Sequence, residues 1–206
     1  MTKAVVFDLG KVLLEFDYRI ALRKIALRCK LPLLDIIQFI TNDPLLLRYE
    51  TGLVTSEQFF REICVITGFD GSRDEFAEFF GDIFTPIEPM IQLHAAFRQR
   101  GFATYIFSNT NEMAISHIRK RFAFFGGFDG YVYSYEHRVM KPAAGLYEVV
   151  ERLAGRRGSE ILYIDDRPEN VAAGAVRGWQ VIHHTAPEIS QAEVAKLGLL
   201  DHAVTG

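Results

Sequence analysis

Asp8 closes the apolar run Ala4-Val5-Val6-Phe7, and Gly10 follows two positions later. A carboxylate at the end of a buried strand can act as a nucleophile and form a covalent intermediate that water later opens. Three further polar groups stand at or just after strand ends. Ser108-Asn109-Thr110-Asn111 follows a strand ending at Phe107, and a helix start there binds anions through its backbone N–H groups. Lys141-Pro142 precedes a helix beginning near Ala143 and offers a point charge for anionic oxygens. Asp165-Asp166 follows Tyr163-Ile164 and suits a hard divalent cation such as Mg²⁺, which takes one or two protein carboxylates. Together these groups meet the needs of phosphoryl transfer, namely an in-line nucleophile and neutralisation of phosphoryl charge.

Each group also has a plainer reading. Asp8 can cap a helix, Asp-Asp-Arg-Pro makes a good turn, Asn109 with Glu112 can form a helix cap, and Lys141 can be a solvated surface charge. Two adjacent carboxylates repel one another without a cation, however.

The elements that must position these groups are legible as alternation. Strand-like runs recur at Ala4–Phe7, Ala103–Phe107, Gly130–Tyr133, Ile161–Ile164 and Gln180–His183. Helical spacing separates the later ones, as in Met113-Ile115-Ile118 and Leu146-Val149-Val150-Leu153. This pattern predicts an α/β fold with a doubly wound parallel sheet. The interval from about Leu14 to Pro89 carries no evident strand. Its apolar residues, including Ala21-Ile25, Leu33-Ile36-Ile37-Ile40 and Phe76-Phe79-Phe80, recur at helical steps. Thr55 with Gln58 forms a capping box opening a helix at Ser56. The expected organisation is therefore a Rossmann-like core of residues 1–14 plus 87–206, with a helical cap subdomain, 15–86, inserted after the first strand. The tail from Pro187 to Gly206 is expected to add one helix and then fray.

The ordered set Phe7-Asp8-Leu9-Gly10, Ser108-Asn109-Thr110-Asn111, Lys141-Pro142 and Asp165-Asp166 resembles the four motifs of the haloacid dehalogenase superfamily of phosphohydrolases. The resemblance spans about residues 3–185 and looks closest to a bacterial branch that includes α-D-glucose 1-phosphate phosphatases. It implies a Mg²⁺-dependent phosphatase acting on a small phosphorylated metabolite, a sugar phosphate among the options. Asp8 would be the nucleophile and carry the aspartyl phosphate. Ser108, Asn109 and Lys141 would hold the phosphoryl group. The Asp8 carboxylate, the Gly10 carbonyl and Asp166 would hold the metal, with Asp165 direct or through water. Most phosphatases of the superfamily carry a second aspartate, the general acid, where this chain has Gly10. General acid–base groups typically contribute ~10²–10⁴-fold, so the gap predicts weak activity toward poor leaving groups unless Glu15 or Asp17 reaches in. Lys11 and Asn111 are softer candidates for ligand contact, and Asn170 for orienting the acidic pair. His183-His184 and the phenylalanines from Phe122 to Phe128 read as structural. A metal-free dehalogenase acting through Asp8 and a catalytically weak phospho-ligand-binding protein are the alternatives.

The bulk numbers set the remaining bounds. A net charge of -3 without a basic stripe excludes a nucleic-acid backbone as an evident partner. Cys29 and Cys64 lack metal or redox spacing and read as reduced thiols. No apolar run reaches the roughly 20 residues of a membrane span, and the first strand begins at once. A cytoplasmic location is expected, with monomer and homodimer both open.

Overall fold

The computed structural model describes residues 1–200, without the side chains of 40–42. Ile40 of the expected helical stripe and the last residues of the tail thus lie outside the described residues. The chain runs β1 (Ala4–Phe7), β2 (Leu14–Phe16), α1 (Tyr18–Ala26), α2 (Leu33–Asn42), α3 (Leu45–Glu50), α4 (Ser56–Thr67), α5 (Arg73–Gly81) and β3 (Phe84–Pro86). It continues through α6 (Glu88–Gln99), β4 (Ala103–Ser108), α7 (Glu112–Arg121), β5 (Gly130–Tyr133), α8 (Ser134–His137), α9 (Ala144–Ala154), β6 (Ile161–Asp165), α10 (Pro168–Val176), β7 (Gln180–His183) and α11 (Pro187–Lys196).

Five parallel strands form one sheet in the order β5-β4-β1-β6-β7. The order reverses at β1, so its carboxyl end opens a crevice between β4 and β6. Register fixes which residues meet there: Phe7 pairs with both Ile106 and Ile164. Asp8, Ser108 and Asp165 therefore fall at neighbouring strand ends. The strands are apolar on both faces because helices cover both. Val5, Phe7, Ile106 and Leu162 pack toward one side, and Ala4, Val6, Phe107 and Tyr163 toward the other.

The long interval after β1 departs from expectation in one respect. It contains two strands, β2 and β3, paired antiparallel through Glu15 and Thr85. Each has three residues, too few to show a period, and the partners lie far apart in sequence. The expected boundaries at 14/15 and 86/87 fall in this ribbon. Beyond it, α1 to α5 share a separate apolar cluster that includes Ile25, Tyr49, Phe59, Phe76 and Phe80. The α4 helix opens at Ser56 behind a complete capping box: Gln58 N donates to Thr55 Oγ1 at 3.2 Å, and Thr55 N to Gln58 Oε1 at 2.8 Å.

The C-terminal end of α3 is seated directly on the α/β core. Ser134 Oγ donates to the Glu50 carbonyl at 2.5 Å, and Thr51 Oγ1 donates to Met140 Sδ at 2.9 Å. Gly52 has φ 73°, and a Cβ there would lie 2.0 Å from the Tyr135 carbonyl oxygen. Only glycine permits both that conformation and that approach. Among the described residues, no helix is long and apolar enough to cross a membrane.

Candidate active site

Asp8 leaves the sheet with its N–H still bonded to the Ile164 carbonyl at 2.9 Å. The residue is 7% exposed. Oδ1 accepts from Leu9 N at 2.7 Å and lies 2.9 Å from Lys141 Nζ. The following loop curls back, with Leu13 N and Leu14 N both donating to the Leu9 carbonyl. That curl carries Gly10 and Lys11 over the strand end.

Lys141 is the hub. Its ammonium donates to Asp165 Oδ2 at 2.6 Å and to the Phe107 carbonyl at 2.9 Å, besides meeting Asp8. The Asn109 side chain holds its backbone from both sides: Lys141 N donates to Oδ1 at 2.8 Å, and Nδ2 donates to the Lys141 carbonyl at 3.1 Å. Ser108, also buried, ends β4 beside them. Asp8, Gly10, Ser108, Asn109, Lys141 and Asp166 line one cleft of about 440 Å³.

The two aspartates of the acidic pair have different surroundings. Asp165 is fully buried and saturated. Its oxygens accept from Lys141, from the Tyr163 hydroxyl, from Arg167 N at 2.8 Å and from Asn170 Nδ2 at 3.0 Å. Asp166 is half-buried, borders the cleft, and its carboxylate accepts from no other described residue. Carboxylate oxygens of Asp8, Asp165 and Asp166 lie within 4.8 Å of one another. Three acids around one ammonium leave excess negative charge. Burial, then the charges of Asp165 and Asp166, push the Asp8 carboxyl up to about 8 against the pull of Lys141. Burial and Asp165 also raise Asp166. Burial would raise Asp165 too, but Lys141 and the hydrogen bonds hold it below the usual range. Burial opposes the charge on Lys141, yet the two carboxylates lift it above its ordinary value. A hard divalent cation fits this donor set of oxygens and relieves the repulsion. The Asp8 carboxylate, the Gly10 carbonyl and Asp166 are the groups with room to hold it. Asp165 is taken up in orienting Lys141.

Several sequence expectations need correction. The cap of α7 is Asn111, which accepts from Ala114 N at 3.0 Å, and not Asn109. That bond also withdraws Asn111 from ligand contact. Neither proposed replacement acid reaches the cleft. Asp17 caps α1 and is held by Arg19, with Nε 2.8 Å from Oδ1. Glu15 pairs with Lys11 at 2.5 Å on the surface. Lys11 does border the cleft, over the Phe16 ring. Asn170 orients Asp165. His184 is buried against Ser190, and His183 bonds the Asp166 carbonyl. Phe125 and Phe128 are core residues.

Two features had no signal in the sequence. A Cβ on Gly10 would lie 2.9 Å from Phe16 Cε1, so an aromatic ring fills the room beside Gly10. Glu50, at the end of α3, lines the same cleft and accepts from the Tyr18 hydroxyl at 3.1 Å.

The family model for haloacid dehalogenase-like hydrolases matches residues 2–178. The chain belongs to that family. Among curated proteins it resembles the sesquiterpene phosphatase astK of Aspergillus oryzae, 24% identical over 190 residues, covering 89% of this chain and 90% of that protein. The fold of this hydrolase matches a haloacid dehalogenase family enzyme of Bacteroides thetaiotaomicron, solved with magnesium and inorganic phosphate. That match has a TM-score of 0.77 and 22% identity, covering 90% of this chain and 96% of the other. L-2-haloacid dehalogenase of Xanthobacter autotrophicus shares the fold at a TM-score of 0.62 and 19% identity, covering 95% of this chain and 83% of the other.

Proposed function

We propose that this hydrolase is a Mg²⁺-dependent phosphatase acting on a small phosphorylated metabolite through an aspartyl phosphate on Asp8. The observation that carries the reading is the convergence of Asp8, Lys141, Ser108 and Asp166 in one cleft. The Asp8 carboxylate attacks phosphorus in line with the ester oxygen. Lys141 and Ser108 hold the phosphoryl oxygens, while Asn109 and Asp165 fix Lys141. Bound Mg²⁺ would neutralise charge on those oxygens. The segment 15–86 serves as the cap, closing the cleft from above and excluding water.

The upper wall of the cleft is largely apolar: Phe16, Tyr18, Leu46, Phe84 and Met140 contribute to it. This favours an ester with an apolar alcohol over a bare sugar phosphate. The similarity to a sesquiterpene phosphatase points the same way.

The test is turnover of an aryl phosphate with and without Mg²⁺. Metal-dependent hydrolysis that disappears in Asp8→Asn supports the reading. Halide release without metal would replace it with the dehalogenase. Gly10 favours a second reading, a phospho-ligand-binding protein without turnover, and a folded, phosphate-binding but inert protein would select that one.

A further inference from the structure

We infer that Glu50, on the cap, donates the proton to the leaving oxygen in this reaction, in place of the carboxylate missing at Gly10. The inference rests on the phosphatase reading above. In-line displacement puts the leaving oxygen on the face of phosphorus turned away from Asp8. We take that direction to lead toward the part of the cleft lining contributed by β2, α1, α3 and β3. Among its described lining residues, Glu50 is the one carboxyl group. The other carboxyls on the cleft are already placed, Asp8 as nucleophile and Asp166 at the metal.

The position of Glu50 is fixed from both sides. Its carbonyl accepts from Ser134 Oγ at 2.5 Å, and Ser134 Oγ in turn accepts from Thr110 N at 2.9 Å. One hydroxyl thus ties Glu50 to the strand-end segment that holds Ser108 and Asn109. Its side chain is oriented by Tyr18, whose hydroxyl donates to Oε1. Oε2 accepts from no described residue. Among the described residues no buried side-chain oxygen lacks a partner, so Oε2 borders open space. A donor on Oε1 favours the proton on Oε2, the oxygen free to reach a ligand. Meanwhile Phe16 occupies the room beside Gly10.

The protonation state agrees. Burial pushes the Glu50 carboxyl up to about 7, against the hydrogen bond from Tyr18. An acid with that value is part protonated at neutral pH, as a general acid must be. The groups facing it are the Tyr18 hydroxyl from α1 and, across the cleft, Asp8, Lys11, Lys141, Asp166 and Arg167.

The proton balance closes over two steps. In the first, the Asp8 oxygen bonds to phosphorus and the phosphorus–oxygen bond to the alcohol breaks. Its electron pair goes to the leaving oxygen, which takes the Glu50 proton and departs as the alcohol. In the second, the Glu50 carboxylate takes a proton from water as the water oxygen bonds to phosphorus. The bond to Asp8 breaks, phosphate leaves, and both carboxyls return to their starting states.

The experiment compares p-nitrophenyl phosphate, whose phenolate leaves without help, with benzyl phosphate, whose alkoxide needs a proton. Both are assayed with Mg²⁺ in the wild-type protein and in Glu50→Gln. Removing a general acid predicts a loss of roughly 10²–10³-fold in kcat on benzyl phosphate, and less than about tenfold on the aryl ester. The aryl activity doubles as the folding control. The wild-type rate on benzyl phosphate should decline above a pH of about 7, and this decline should vanish in Glu50→Gln. Equal losses on both esters, no loss on either, or wild-type turnover confined to the aryl ester would overturn the inference alone. Absence of Mg²⁺-dependent turnover by the wild-type protein on both esters would overturn the phosphatase reading and the inference with it.

Discussion

Glu50→Gln should make the protein more stable at alkaline pH while making it a poorer catalyst. The carboxyl has a usual value of 4.5, and burial lifts it to about 7 in the folded protein. A group whose folded value is raised stabilises the fold below its unfolded value, and that stability is lost as pH rises through the folded value. Here the loss begins near 4.5 and is complete just above 7. At about 1.36 kcal/mol per pH unit, the gap corresponds to roughly 3 kcal/mol, an upper figure for a half-buried side chain. Glutamine keeps an oxygen for the Tyr18 hydroxyl and carries no charge. The difference in unfolding free energy between Glu50→Gln and wild type should therefore grow by up to about 3 kcal/mol between pH 4.5 and pH 8. Urea denaturation across that range measures it, with m-values compared to confirm an unchanged transition. A difference that stays flat with pH would refute the account, since it would mean that Glu50 titrates as a solvated carboxyl.

Three other outcomes follow from the geometry. Lys141→Met leaves Asp8 and Asp165 facing each other without the ammonium that bridges them, and breaking such a buried pair should remove about 3–5 kcal/mol of stability at pH 7, read by urea titration. His94 is 4% exposed, stacks on Phe128 and bonds Thr104; burial lowers its value to about 4. Its contribution is present above the usual value of 6.5 and lost as pH falls from 6.5 to 4, so stability should drop there by up to roughly 3 kcal/mol, and this component should be missing from the denaturation profile of His94→Gln. Gly10→Asp drives its Cβ into the Phe16 ring and should cost about 1–3 kcal/mol as overpacking. In a double-mutant cycle, combining it with Phe16→Leu should cost less than the sum of the single changes.

What the sequence disclosed and what it withheld divide along one physical line. Asp8, Ser108, Lys141 and the acidic pair were legible because each follows a run of apolar residues that must be a buried strand, or precedes a helix, and a polar residue at such a junction has few structural uses. The parallel sheet was legible for the same reason. The β2–β3 ribbon was not, because Leu14–Phe16 and Phe84–Pro86 are strands only by virtue of each other. Asn109 and Asn111 flank one threonine, and either can cap the helix by type; which one does so depends on where Lys141 comes to rest, since its backbone claims Asn109. Glu50 had no local signature at all. It ends a six-residue helix, and its chemistry comes from the burial and the Tyr18 contact that folding supplies.

A proton donor carried by the cap has a consequence that a donor beside the nucleophile lacks. Asp8 directly follows β1, and Lys141, in the turn before α9, is held by Asn109, Phe107 and Asp165, all at strand ends of the sheet. Glu50 owes its raised value to burial, and the end of α3 that carries it rests on Ser134 and Met140. In water the same carboxyl would return toward 4.5 and ionise at neutral pH, losing the proton the reaction needs. Seating of α3 therefore positions the acid and charges it with its proton in one event. An ester too bulky to let α3 seat would meet a competent nucleophile but no general acid, so only leaving groups stable as free anions would depart. On the proposed reading, selectivity arises from the proton as much as from the fit: the preferred substrates would be those whose alcohol portion lets Glu50 stay dry.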